Sequence, residues 1–189
     1  ELAIEINKHF PSKIISVDSV QIYKGANIGS SKPDQEILDN IHHALINTLD
    51  LEDDFSVKDY LNEISHELKA CEKDLIFVGG TMMYFYSIFN GISKLPEKDI
   101  KFRKKIEDEA KNKGWKSMHK LLKKIDPEAA KSIKNNDSQR ILRALEVNFL
   151  SKITFSELKK FKEKSVIEDY QKFSFAIVPR CKKTFKNQL

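Results

Sequence analysis

Asp18 and Ser19 follow directly on a short apolar, β-branched run, Ile14-Ile15-Ser16-Val17. A carboxylate delivered at the end of a buried strand is where α/β folds place their chemistry. Three jobs are open to such an aspartate. Burial beside the strand end would raise its pKa and make it a proton acceptor. It could instead hold a metal ion bound to phosphates, or cap the next turn through its side chain, a purely structural task common for Asp. Gln21, Tyr23 and the glycine-punctuated stretch Ile28-Gly29-Ser30-Ser31-Lys32-Pro33 come next and form the loop that surrounds it.

Two further groupings could carry chemistry. Gly79-Gly80-Thr81 turns an apolar strand into a helix and offers backbone N–H groups and a hydroxyl at a helix N-terminus, a setting for phosphate or another anion, although such turns also serve packing. The segment Asn136-Asp137-Ser138-Gln139-Arg140 opens a helix on which Gln139 and Arg143 share a face, with Arg140 one residue round. Gln and Arg suit base edges and phosphates; the same arginines beside Ile141, Leu142, Leu145 and Val147 could equally snorkel from the edge of a core. His42-His43 is a metal pair only superficially, because adjacent loop residues do not converge easily, and no metal ligands are assigned. No Walker A loop, G-x-x-x-x-G-K-[ST], occurs. Cys71 and Cys181 lie far apart without a C-x-x-C pair and read as reduced cytosolic thiols.

The elements that must position these residues follow from periodicity. Leu2, Ile6 and Phe10 recur at helical spacing, so the chain opens inside an amphipathic helix with no start signal and reads as a fragment. Ile14 to Val17 is a first strand, Pro33 to Ile41 a short helix, and Ala44 to Leu49 a second strand. Ser56 with Asp59 is a capping-box start for a helix whose stripe is Val57, Tyr60, Leu61, Ile64 and Leu68. Leu75 to Val78 is a third strand and Met82 to Phe89 an aromatic helix. Strands alternating with helices predict a parallel sheet. After Gly91 the pattern is helical only, over Asp99 to Lys113, Trp115 to Ile125, Pro127 to Ile133, and Asp137 to Leu150 with Asp137 as N-cap. Phe173 to Val178 reads as a return to the sheet. The expected division is an α/β core over 1–91, a helical insertion over 92–165 and a return to the core over 166–189.

With 40% hydrophobic and 32% charged residues the chain is that of a globular protein, and its longest apolar runs are far too short to span a bilayer. No signal peptide is visible, so a cytoplasmic protein is expected. Its net charge of +5 is unevenly distributed: residues 92–136 hold 14 Lys and Arg against 7 Asp and Glu, and the remainder holds 19 against 21. A basic excess confined to one segment is the footprint of a polyanion site, or else a solvated helical face.

Taken together, these motifs resemble the tRNA dimethylallyltransferases, also called tRNA isopentenyltransferases, which attach a five-carbon prenyl group to N6 of the adenosine just 3′ of the anticodon. The matching text is Ile15-Ser16-Val17-Asp18-Ser19-x-Gln21-Ile22-Tyr23-Lys24-Gly25, Ile28-Gly29-Ser30-Ser31-Lys32-Pro33, Val78-Gly79-Gly80-Thr81-x-x-Tyr84-Phe85, Gly91-Ile92-Ser93-x-Leu95-Pro96 and Asn136-Asp137-x-Gln139-Arg140-x-x-Arg143-Ala144-Leu145-Glu146-Val147. Ser30, Asn47 and Leu51 stand where the family usually has Thr, Asp and Pro. The resemblance implies an α/β, P-loop NTPase-like parallel sheet core with an all-helical basic insertion, in an ATP- and nucleotide-binding type of fold. It implies that a Gly-Pro-Thr-Ala-Ser-Gly-Lys-Thr loop precedes the first helix, outside these residues, so that no cofactor-binding residue is assigned here.

By position in the family, Asp18 would be the general base for N6, and Asp18, Ser19, Val20, Gln21, Thr81, Arg103, Gln139, Arg140, Ile141, Leu142 and Arg143 would meet the tRNA. Gln139 would read the target base, extruded from its stack so that a donor in a closed channel can reach it. The basic insertion would clamp the stem-loop backbone. Dimethylallyl diphosphate is the implied donor, Mg²⁺ the implied cofactor, the anticodon stem-loop the partner, and a monomer the expected state. This stretch alone, lacking the P-loop and the family's later Arg-containing motif, is expected to be inactive. Three other readings are an adenylate isopentenyltransferase acting on free nucleotide, a non-catalytic RNA-binding module, and a P-loop small-molecule kinase. The kinase gives no reason for Gln139, Arg140 and Arg143.

Overall fold

The computed structural model describes residues 1–178. Helix α1 (Leu2–His9) leads into strand β1 (Ser12–Val17), followed by α2 (Gln35–Asn40), β2 (His43–Ala44), α3 (Val57–Ala70), β3 (Asp74–Gly79) and α4 (Met82–Asn90). The strands form a parallel sheet in the order β2-β1-β3. Central β1 buries Ile14, Ile15 and Val17 completely, which is why it reads as an unbroken apolar run: a parallel strand covered on both faces has no solvent side to alternate toward.

Helix α3 starts where the capping box places it, with the Ser56 side chain accepting from the Asp59 amide and the Asp59 side chain accepting from the Ser56 amide. Its stripe delivers Tyr60, Leu61, Ile64 and Leu68 to the first core. Tyr60 stacks on Tyr84 of α4 at 4.0 Å between ring centroids and donates its hydroxyl to the Ser16 carbonyl at 3.0 Å. A buried tyrosine thereby satisfies its polar end and clamps α3 and α4 over β1; burial pushes its ionisation strongly upward.

The helical part comprises α5 (Ile100–Lys113), α6 (Trp115–Ile125), α7 (Pro127–Ser132), α8 (Ser138–Leu150) and α9 (Phe155–Leu158). It has its own core, in which Ile106, Met118, Leu122, Ile141, Ala144 and Leu145 are buried together. The chain leaves the sheet and comes back to it through a two-stranded neck. Ser93 and Lys162 form an antiparallel bridge, the Glu163 amide donates to the Ile92 carbonyl at 2.8 Å, and Ile167 rejoins the first core. Gly91, at φ +68°, stands where a Cβ would overlap the Glu163 carbonyl.

Three sequence expectations change. The strand expected over Ala44 to Leu49 stops at Ala44, because Leu45 and Asn47 adopt φ of +64° and +54°. The left-handed region cannot continue an extended strand, and the segment instead hooks around the neighbouring loop, with the Asn47 amide donating to Gln21 and those of Thr48 and Leu49 to Ile22. Phe173 to Val178 forms no strand, and Phe173, Phe175, Ile177 and Val178 are exposed; an apolar run becomes a strand only where a free edge lies beside it. The remainder of the expected 166–189 return, including Cys181, lies outside the described residues. Helix α9 was not expected, although Thr154 and Glu157 spell the capping box that begins it. Buried Asp126 holds it down by accepting from the Ser156 amide and hydroxyl.

Gly79 pairs with Val17, and a Cβ there would overlap the Val17 carbonyl, whereas a Cβ at Gly80 meets open space. Gly79→Ala and Gly91→Ala are therefore each expected to lower unfolding free energy by about 1–3 kcal/mol, with Gly80→Ala close to neutral, as measured by urea denaturation.

Candidate functional site

The parallel register of β1 and β3 ends both strands at the same level, Val17 beside Gly79, so the residues that follow each strand meet. The Thr81 amide donates to the Val17 carbonyl at 3.1 Å, and the Thr81 hydroxyl accepts from the Ser19 amide at 3.0 Å while donating to the Ser19 hydroxyl at 3.3 Å. Thr81 stands at the N-cap of α4 but makes no side-chain cap bond, since its hydroxyl is turned to Ser19. Half-buried Asp18 accepts the Val20 and Gln21 amides at 2.8 and 3.1 Å, both on Oδ1. The turn-capping role is thus real, and it occupies only one oxygen. Among the described residues no hydrogen bond reaches Oδ2.

The loop beyond is held from within. Gln21 accepts the Ser16 hydroxyl at 3.0 Å and donates to the Ser30 and Ser31 carbonyls, each at 3.1 Å. Its half-buried side chain pins the 27–33 loop to β1. Lys32 donates to the Tyr23 carbonyl at 2.8 Å, Asn27 Oδ1 at 3.2 Å and Asn47 Oδ1 at 2.7 Å. These acceptors are all neutral, and partial burial lowers the ammonium's pKa. Val20 is exposed on this loop.

A second group of expected site residues lies in the helical part. Asp137 caps α8 by accepting the Arg140 amide and pairs with the exposed Arg140 guanidinium at 2.8 Å. Gln139 is exposed at the first turn. Ile141 and Leu142, expected to meet RNA, are 0% and 2% exposed in the second core. Their side chains hold α8 in place and do not reach the surface, because on a helix packed along one face only some of five consecutive positions can point outward.

Arg103 of α5 and Arg143 of α8 converge on one carboxylate whose role the sequence motif around it does not reveal. Glu146 is fully buried. It accepts Arg103 Nε at 2.7 Å and Nη2 at 2.8 Å, Arg143 Nη1 at 2.5 Å and the Asp99 amide at 2.9 Å; Arg143 Nη2 also donates to the Pro96 carbonyl at 2.7 Å. A lone carboxylate in the aliphatic second half of α8, three residues after an arginine, was the available signal.

Burial alone would push the Glu146 carboxyl up, but the hydrogen bonds from Arg103, Arg143 and the Asp99 amide outweigh it and hold the pKa down at about 2. A group depressed in the folded state contributes stability that is complete above its ordinary value of 4.5 and is lost as the pH falls toward 2. Thermal melts are expected to show a stability loss in that window that is absent in Glu146→Gln. Glu146→Ala, which strands two guanidiniums, should cost about 3–5 kcal/mol at neutral pH.

Among the described residues no group of three or more His, Cys, Asp and Glu converges, and no helix is long and apolar enough to cross a membrane. Residues 21–187 match the IPP transferase family. A tRNA dimethylallyltransferase of Vesicomyosocius okutanii is 43% identical over 182 residues, 95% of this chain and 59% of that protein. One of Nitrosomonas eutropha is 40% identical over 181 residues, 94% of this chain and 57% of that protein. The chain therefore spans somewhat over half the length of these relatives. A eukaryotic dimethylallyltransferase captured acting on tRNA superposes with a TM-score of 0.70 over 86% of this chain and 41% of its own, at 24% identity. That likeness concerns the fold alone, an α/β arrangement around a parallel sheet. With the family match running over most of its length, the chain belongs to the IPP transferase family.

Proposed function

We propose that the full protein transfers a dimethylallyl group from dimethylallyl diphosphate to N6 of the adenosine 3′ of the anticodon in tRNA, with Asp18 as general base. The observation that carries this reading is the strand-end aspartate: Oδ1 is fixed by two backbone amides, and Oδ2 receives no hydrogen bond from the described residues. A base that must take a proton from an arriving substrate needs one oxygen held and one open, at a position that does not drift. Thr81 and Ser19 lock that position from the β3 side.

In the reaction the N6 lone pair forms a bond to the prenyl C1 while the C1–O bond to diphosphate breaks. The N6 proton passes to Asp18 Oδ2, and diphosphate leaves with the C–O electron pair. Among the described residues no group of three or more acidic, imidazole or thiol ligands converges; a magnesium ion would be carried chiefly by the diphosphate oxygens, where it would neutralise the leaving group.

Recognition of tRNA, as opposed to a free nucleotide, is favoured by the helical part. Lys101, Lys104, Lys105, Lys116, Lys120, Lys123 and Lys124 on α5 and α6 are all exposed, and such a surface draws a phosphate backbone through counterion release. Gln139 is exposed at the start of α8, which supports a role for its amide in reading a base edge. In this reading residues 92–165 hold the anticodon stem-loop, the 1–91 core brings Asp18 to the extruded adenine, and the protein works as a cytoplasmic monomer.

Dimethylallyl transfer to an anticodon stem-loop by the full protein tests the assignment. Asp18→Asn keeps an oxygen for the Val20 and Gln21 amides yet cannot take the proton, and turnover is expected to fall roughly 10²–10⁴-fold with the melting temperature nearly unchanged. Full turnover in that variant would remove Asp18 from the mechanism. Stem-loop affinity should also drop steeply as salt rises, and AMP should compete poorly; equal competition by AMP at physiological salt would favour a free-nucleotide enzyme.

A further inference from the structure

The Arg103–Glu146–Arg143 cluster is costly to build if its purpose is stability alone. A buried ion pair often contributes no more than well-packed apolar side chains of the same volume would. Here a carboxylate with no exposed surface takes hydrogen bonds from three guanidinium nitrogens and one backbone amide, so it has no capacity left for a ligand. The arginines differ in this respect. Their side chains remain 25% and 27% exposed, and one carboxylate cannot neutralise two guanidiniums, so the cluster keeps a net positive charge at the surface. Its donors are fixed: Arg103 is held as a bidentate fork and Arg143 is bridged between Glu146 and the Pro96 carbonyl. Gln139, Arg143 and Glu146 recur at i, i+4 and i+7, one face of α8. Exposed Lys101, Lys104 and Lys105 flank Arg103 on α5.

We propose that Glu146 is a positioning residue for RNA: it touches no nucleotide, and it holds the Arg103 and Arg143 guanidiniums with their open edges toward the phosphate backbone beside Gln139. The inference rests on the tRNA reading above. Its physical basis is that a long side chain loses rotamer freedom on binding, and a guanidinium already clamped in its fork has less left to lose.

Fluorescence anisotropy of labelled anticodon stem-loop RNA with the full protein separates positioning from simple charge, because the two predict opposite signs. Removing a buried negative charge from a basic surface would, by electrostatics alone, tighten RNA binding. Positioning predicts that Glu146→Gln, similar in shape, weakens it roughly tenfold or more and reduces the salt slope by about one unit for each phosphate no longer neutralised. Should Glu146→Gln fail to melt cooperatively, Glu146→Asp gives the same answer, since it keeps the charge but is one methylene too short to hold both guanidiniums; the expected result is again weaker binding. Unchanged or tighter binding in either folded variant overturns the proposal. Wild-type full protein with no affinity for the stem-loop overturns the tRNA reading and this proposal with it, whereas wild-type binding with an unaffected Glu146→Gln overturns this proposal alone.

Discussion

The parallel ladder between β1 and β3 is the constraint on which the rest of the molecule depends. It brings together residues 62 positions apart, and the hydrogen bonds between Ser19 and Thr81 exist only because Val17 and Gly79 end their strands side by side. The pairing requires a residue without a Cβ at position 79, since the Val17 carbonyl fills the space a side chain would take. Apolar burial supplies the driving force for the ladder, with Ile14, Ile15 and Val17 wholly removed from water. The polar groups are fixed as a consequence. Asp18 follows the most deeply buried strand.

A second consequence concerns how the helical part is carried. Two cores, one around the sheet and one among α5 to α8, are joined by a narrow neck at residues 91–93 and 162–163. A neck of so few backbone bonds would leave the helices free to swivel were it not reinforced. The reinforcement is electrostatic: Glu146 binds the Asp99 amide and, through Arg143, the Pro96 carbonyl, so the segment leading out of the sheet is tied to α8. The same carboxylate serves two elements and a linker. Its depressed pKa follows from that convergence of donors, which overcomes the penalty of burying a charge.

Legibility in the residue order tracked how local the determining interaction was. Capping signals at Ser56 and Asp137, the stripe on α3 and the apolar run of β1 each act within a few residues, and each element stands where those signals put it. The strand expected at Ala44 to Leu49 failed because Leu45 and Asn47 adopt left-handed conformations and the Asn47, Thr48 and Leu49 amides bond to Gln21 and Ile22, partners more than twenty residues away. Phe173 to Val178 failed for a related reason: β propensity specifies a strand only when another strand offers an edge.

The site divides along the same line. Residue order alone established the chemistry at hand: a carboxylate at a strand end, a Gly-Gly-Thr turn, a helix opening on Asp137 and Gln139, and lysines crowded into one segment. It also carried the family resemblance, since such motifs are strings of neighbouring residues. Only the tertiary structure decided which of these groups are free and which are spent. Gln21 is turned inward to Ser16 and the 30–31 carbonyls, Ile141 and Leu142 are core, and Arg103 and Arg143 share a buried carboxylate that joins α5 to α8. A side chain's partners lie across space, and with no pattern of neighbours in the chain to record them, they are fixed by packing alone.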